Sequence, residues 1–139
     1  MVTSEQTQAI QRYSDVWASG DLDVLDEVFT ADCVRHGPAL EGTSVKGAQG
    51  LKEIVELYRT ALPDLRVPID TMVGDGDVVM TRWSASGTNN GPVLGTPPTG
   101  KSFTIFGFWM HRFEGDKIAE EWATWDTHGF LGQLGVSLP

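Results

Sequence analysis

Cysteine is all but missing from this sequence. Cys33 is the only one, which rules out an intramolecular disulfide and any metal cluster built on cysteine. Flanked by Asp32 and Val34, it reads as a small buried hydrophobe or as a reactive thiol. Positive charge is scarce too, with 10 Lys and Arg against 19 Asp and Glu, a net charge of −9. No basic cluster occurs, which argues against nucleic acid and anionic membrane as partners, because both need a basic face. No apolar run approaches the roughly 18 residues of a membrane span. The stretch from Met1 to Gln8 has neither the basic nor the apolar region of a signal peptide, so a cytoplasmic protein is expected. The three histidines show neither His-x-x-x-His nor His-x-His spacing, so a zinc site is not expected. Glycine-rich phosphate loops and the Gly-x-Ser-x-Gly nucleophile elbow are absent as well, and no cofactor is expected.

What is present suits one domain spanning residues 1–139. Five Trp, six Phe and two Tyr are enough for a core with aromatic surface left over to line a cavity. Thr3-x-x-Gln6 has the form of a capping box, and Ile10, Tyr13, Val16 and Trp17 follow at helical spacing up to Gly20. Asp21 is the expected cap of a second helix through Leu22, Leu25, Val28 and Phe29. A short strand is expected from Asp32 to His36, and a third helix from about Ala48 to Leu62, closed by Pro63. Beyond Pro63 the pattern is sheet. Strands at Arg66–Val73 and Val78–Thr88 flank Gly74-Asp-Gly-Asp77, and strands at Ser102–Phe113 and Ile118–Asp126 flank Glu114-Gly-Asp-Lys117. Helices first and strands second predict an α+β fold, with the helices packed on one face of a curved, mostly antiparallel sheet.

The candidate for chemistry is Asp126, a carboxylate at the end of a strand carrying two tryptophans, where burial could tune its pKa. With Gly115-Asp116 as a two-residue turn, Trp109 opposes Trp122, Gly107 opposes Thr124 and Ile105 opposes Asp126. Side chains alternate, so Trp109, Trp122 and Asp126 share a face, while His111 falls near the hairpin tip; a bulge would upset this register. Arg82, on the more apolar face of the other hairpin, would need a carboxylate, either in a structural salt bridge or as a partner of Asp126. His36, at a strand end, is either a loop residue or a titrating group at a pocket mouth. Tyr13, Trp17, Tyr58, Trp109 and Trp122 are candidate walls of a substrate pocket, and each also reads as core. His128 reads as surface in a glycine-punctuated tail.

Several segments resemble a known family. They are Gly20-Asp-Leu-Asp-Val-Leu-Asp-Glu-Val-Phe29, Asp32-Cys-Val-Arg-His36, Leu62-Pro-Asp-Leu65 and Gly76-Asp-Val-Val-Met-Thr-Arg-Trp83. Gly95-Thr-Pro-Pro-Thr-Gly-Lys101 and Gly129-Phe-Leu-Gly-Gln-Leu-Gly135 complete the set. Together they resemble the SnoaL-like polyketide cyclases of the NTF2-like superfamily. The resemblance implies a cone-shaped α+β fold, a homodimer formed through the sheet, and a role in secondary metabolism. It also implies an intramolecular aldol ring closure on a polyketide-like polycarbonyl substrate, without cofactor. Asp126 would then be the acid/base, with Arg82 or His36 stabilising the enolate. Asn89 departs from the pattern, since relatives often carry His there. Limonene-epoxide hydrolase is similar at Arg82 and Asp126, but Ser84 stands where its second Asp would be. In ketosteroid isomerase, related in fold, the base falls near His36. A non-catalytic domain that binds a small hydrophobic metabolite is the alternative of a different class.

Overall fold

The computed structural model describes residues 1–42, 44–93 and 95–136. Helix α1 (Ser4–Ser19) begins at the expected capping box, with reciprocal bonds between Thr3 and Gln6, and ends at Gly20 in the left-handed region. The short α2 (Val24–Val28) follows Asp23 rather than Asp21, with no side-chain capping bond from Asp23, and Phe29 belongs to the next strand. Strand β1 (Phe29–His36), a 3-10 turn (Ala39–Glu41), the two-residue β2 (Val45–Lys46) and α3 (Gly47–Ala61) come next. The sheet is completed by β3 (Ile69–Asp75), β4 (Val78–Thr88), β5 (Ser102–Glu114) and β6 (Lys117–Trp125). The final segment, expected as a tail, forms α4 (Thr127–Leu134).

The six strands run in the order β2-β1-β6-β5-β4-β3. All neighbours are antiparallel except β1 and β6, which run parallel. This is the expected α+β arrangement, a mostly antiparallel sheet with helices on its inner face. Apolar residues at helical spacing on α1 (Ile10, Tyr13, Trp17) and α3 (Leu51, Val55, Tyr58) are buried against that face. Cys33 lies in this core.

One bulge decides which side chains face inward. The hairpin turn falls where the sequence put it, with Glu114 opposite Lys117 and Phe113 opposite Ile118. The register then shifts, and Arg112 pairs with Glu120, which leaves Ala119 as an extra residue on β6. Beyond the bulge Trp109 opposes Ala123, not Trp122, and His111 opposes Glu121. A one-residue slip exchanges the two faces of a strand. Glu121 and Ala123 therefore point inward, while Trp122 points outward, so its expected place in a pocket wall is corrected.

Candidate functional site

The inner face holds an apolar cavity of about 60 Å³, with walls that include Trp17, Trp83, Trp109, Trp125, Arg35 and Tyr58. The remaining wall is aliphatic, alanine or phenylalanine. Gly107 is part of this construction. A Cβ there would sit 2.5 Å from the Trp83 ring and 2.7 Å from the Trp125 Cβ, so only glycine lets the two indoles close over β5.

Behind the wall lies a buried ionic cluster. The Arg35 Nε donates to Glu121 Oε2 at 2.8 Å, and its Nη1 donates to Glu41 Oε1 at 2.5 Å. Glu121 also accepts from the Tyr13 hydroxyl at 2.9 Å, and its Oε1 lies 2.8 Å from His111 Nε2. The Tyr58 hydroxyl donates to Glu41 Oε2 at 2.5 Å. The Arg35, Glu41, Glu121 and His111 side chains are all at most 5% exposed. Unpaired, any of these charges would cost several kcal/mol; here each is bonded.

The titration of the cluster follows from these contacts. Burial pushes the Glu121 carboxyl up, but the His111 hydrogen bond and the Arg35 charge together hold it below the usual carboxylate range. Burial works against the Arg35 cation, yet Glu121, Tyr13 and Glu41 raise it further, so it stays charged. Burial first, and Glu41 second, raise the Tyr58 phenol well above its ordinary value. Tyr13 is raised by its own burial and by Glu121.

The expected trio of Asp126, Arg82 and His36 is not brought together. Asp126 is exposed and caps α4, its Oδ1 accepting from the Gly129 N–H at 2.8 Å. Its backbone follows the wall residue Trp125, but its own side chain is not among the cavity walls. Arg82 projects from the opposite face of the sheet, bonded to Asp70 at 2.8 Å and lying 4.7 Å over the Phe106 ring. It is paired with a surface carboxylate because Thr81 and Trp83, not Arg82, take the inward positions of β4. His36 is also on the outer side, 2.7 Å from Glu120, 3.0 Å from Ser44 and stacked on Trp122. Its bond is the first cause of a lowered Glu120 carboxyl.

Of the expected wall residues, Trp17, Tyr58 and Trp109 line the cavity, and Tyr13 lies behind it in the ionic cluster. Asn89 is fully buried and ties its loop together, donating to the Gly91 carbonyl and accepting from Thr99. Arg35, Glu41, Glu121, Trp83 and Trp125 were not singled out from the sequence. Arg35 carried a signal, since it alternates with the buried Cys33 on β1. Among the described residues, no group of three His, Cys, Asp or Glu side chains is arranged to hold a metal ion.

An apolar cavity with a few convergent polar groups is the usual form of a small-molecule site. The sequence matches the SnoaL-like polyketide cyclases over residues 7–134. The chain belongs to that family. IdmH of Streptomyces antibioticus, a candidate polyketide cyclase, is 29% identical with a TM-score of 0.83, covering 96% of this chain and 100% of its own. A candidate polyketide cyclase from Acidithiobacillus ferrooxidans is 26% identical with a TM-score of 0.85, covering 97% of each chain. A protein of ketosteroid isomerase-like fold from Catenulispora acidiphila, 16% identical and covering 93% of each chain, superposes with a TM-score of 0.80 and supports the fold alone. No curated protein matches the chain. Membership of the SnoaL-like family supports a cyclase function. No helix among the described residues is long and apolar enough to cross a membrane.

Proposed function

We propose that this SnoaL-like protein is a cofactor-independent cyclase that closes a ring by intramolecular aldol addition on a polyketide-like polycarbonyl compound. The observation that carries the proposal is that Arg35 and Tyr58, both on the cavity wall, are bonded to the same carboxylate, Glu41. In the proposed step the Tyr58 oxygen takes a proton from a carbon between two carbonyls while its own proton passes to Glu41. The C–H electron pair becomes an enolate, whose oxygen is stabilised by the Arg35 cation. The enolate carbon adds to a second carbonyl, and the proton returns from Glu41 through Tyr58 to the new alkoxide. The raised phenol disfavours a free tyrosinate, so Tyr58 serves as a relay that loses one proton as it gains another. Glu121, held by His111 and Tyr13, is a positioning residue that fixes Arg35.

This reading moves the proton chemistry from Asp126 to the Glu41–Tyr58 pair, and one set of variants separates the two. With a synthetic linear tetraketide thioester as substrate, Tyr58→Phe and Glu41→Gln are expected to lower kcat by roughly 10²–10⁴-fold. Asp126→Asn, which keeps the helix cap, is expected to stay within a few-fold of the parent. Loss of turnover in Asp126→Asn, with Tyr58→Phe active, would restore Asp126 as the base. Tight binding with no turnover by the parent protein would favour the binding-domain reading.

A homodimer is part of the same proposal. Val73, Met80, Phe106 and Phe108 are exposed together on the outer face of the sheet, a patch of the kind that marks an interface. Light scattering after chromatography should return twice the chain mass for the parent and the single mass for Phe106→Glu/Phe108→Glu. A cytoplasmic place in secondary metabolism completes the reading. The polyketide description of the family and the unpaired, buried Cys33 support it.

A further inference from the structure

Buried tryptophan nearly always finds a partner for its indole N–H. Here Trp17 and Trp83 are each 5% exposed, and neither Nε1 has a hydrogen-bond partner among the described residues. Both side chains line the same cavity, and each Nε1 is itself buried within that wall. An orphaned buried donor is costly, and two of them in one wall form a pattern that needs an explanation. A resident water is a poor answer, because it needs several polar partners and this wall is almost wholly apolar.

The polar side chains of the wall share one chemical sense. Indole and guanidinium groups donate and do not accept. Tyr58 already donates to Glu41, leaving its oxygen as the one side-chain acceptor. A compound in this cavity therefore gains by bringing acceptors and loses by bringing donors it cannot place. Charge narrows the class further. Arg35 faces two carboxylates, so a compound that arrives as a full anion gains little, while charge that develops on a carbonyl oxygen still meets the guanidinium. A cation would find no free carboxylate among these side chains. Size narrows it again. The cavity of about 60 Å³ is smaller than the roughly 150 Å³ void that takes a benzene ring, so at most one ring enters, with some movement of the indoles.

We infer that the cavity recognises a neutral single-ring ketone, or the ketone-bearing ring of a larger compound, through the indole N–H groups of Trp17 and Trp83. The inference rests on the cyclase reading only in taking this cavity as the substrate site. It adds what that reading lacks, namely the groups that select a carbonyl-bearing ring over a hydrocarbon or hydroxylated one. Trp17 and Trp83 are thus specificity-determining residues.

The test uses the whole protein and small probes of one shape. Cyclohexanone supplies the acceptor, methylenecyclohexane replaces C=O by C=CH2, and cyclohexylamine supplies a cation. The five tryptophans give separate indole N–H resonances, and Trp17→Phe, Trp83→Phe and Trp122→Phe assign three of them. Cyclohexanone is expected to move the Trp17 and Trp83 resonances downfield while that of Trp122, on the outer face, stays fixed. It should bind more tightly than methylenecyclohexane by about two- to tenfold for each donor engaged, and each Phe variant should remove its share. Cyclohexylamine should not bind measurably.

Equal affinity for ketone and hydrocarbon, or indole resonances that do not move, would overturn the inference and mean that these N–H groups point at neighbouring aromatic faces. The resonance readout needs no variant to fold beyond those used for assignment. The two readings also fail separately. Ketone recognition with turnover untouched by Tyr58→Phe and Glu41→Gln would sink the proposed mechanism alone. Turnover that depends on those residues, with indoles indifferent to cyclohexanone, would sink the recognition alone.

Discussion

Glu121→Gln is the sharpest probe of the buried cluster. The substitution keeps shape and volume, so its cost comes from electrostatics and hydrogen bonding rather than from a void. Glu121 meets the Tyr13 hydroxyl, the Arg35 Nε and His111 Nε2, all between 2.8 and 2.9 Å. Arg35 and Tyr13 both donate to Oε2, so a glutamine must keep its carbonyl oxygen there and turn its NH2 toward His111, while the charge that balances Arg35 disappears. Breaking a buried pair by removing one member costs about 3–5 kcal/mol, against a total stability of roughly 5–15 kcal/mol. For a domain of this size that is a fall in Tm of roughly 10–20 °C. Glu120→Gln, one residue away, is the control. Glu120 is half-buried on the outer face beside His36 and Arg112, and its loss should cost at most about 1 kcal/mol. Urea and thermal unfolding followed by circular dichroism measure both. Equal losses, or a larger one for Glu120, would mean that the bulge at Ala119 is misplaced and that the wrong carboxylate is inside.

The same contacts set the acid limb of stability. The folded-state pKa of Glu121 is depressed, so its contribution is complete above its unfolded value of about 4.3 and is lost as pH falls through the folded pKa. Urea midpoints taken downward from pH 6 should fall less steeply in Glu121→Gln than in the parent, and an unchanged slope would contradict the assignment. Gly107→Ala would put a methyl 2.5 Å from the Trp83 ring; a loss of about 1–3 kcal/mol is expected, with weaker binding of cyclohexanone as the indole is pushed into the cavity. Asp126→Ala should cost about 1 kcal/mol through the lost α4 cap, and Asp126→Asn almost nothing. Equal destabilisation by both would show that its charge matters beyond the cap.

How far the sequence could be read depends on the range of the interaction involved. The capping box at Thr3, the end of α1 at Gly20 and the turn at Gly115-Asp116 are local, and all three stand as expected. Helix α4 was hidden because three glycines, Gly129, Gly132 and Gly135, punctuate its segment. Of these, Gly135 is the C-cap, with a φ of 75°, so one signal of looseness was in fact a stop signal. The site depended on which face each strand turns inward, which no local pattern states. In Glu120-Glu121-Trp122 two adjacent carboxylates make either alternation look equally poor. Only the extra residue at Ala119 decides between them.

That single residue links fold to chemistry. Without the bulge, Glu120 would oppose His111 and Trp122 would oppose Trp109, putting an indole where Ala123 now leaves room. With it, a small side chain faces Trp109 and a carboxylate sits behind the wall next to Arg35. The bulge thus supplies both the space and the counter-charge that the cavity needs. It also explains why Asp126 is free to serve as a helix cap. Once the register slips, the end of β6 delivers Trp125 to the cavity and turns the next residue out to begin α4. A carboxylate at that position holds the closing helix by its Gly129 bond, and the charge that matters for the cavity comes from five residues earlier in the chain.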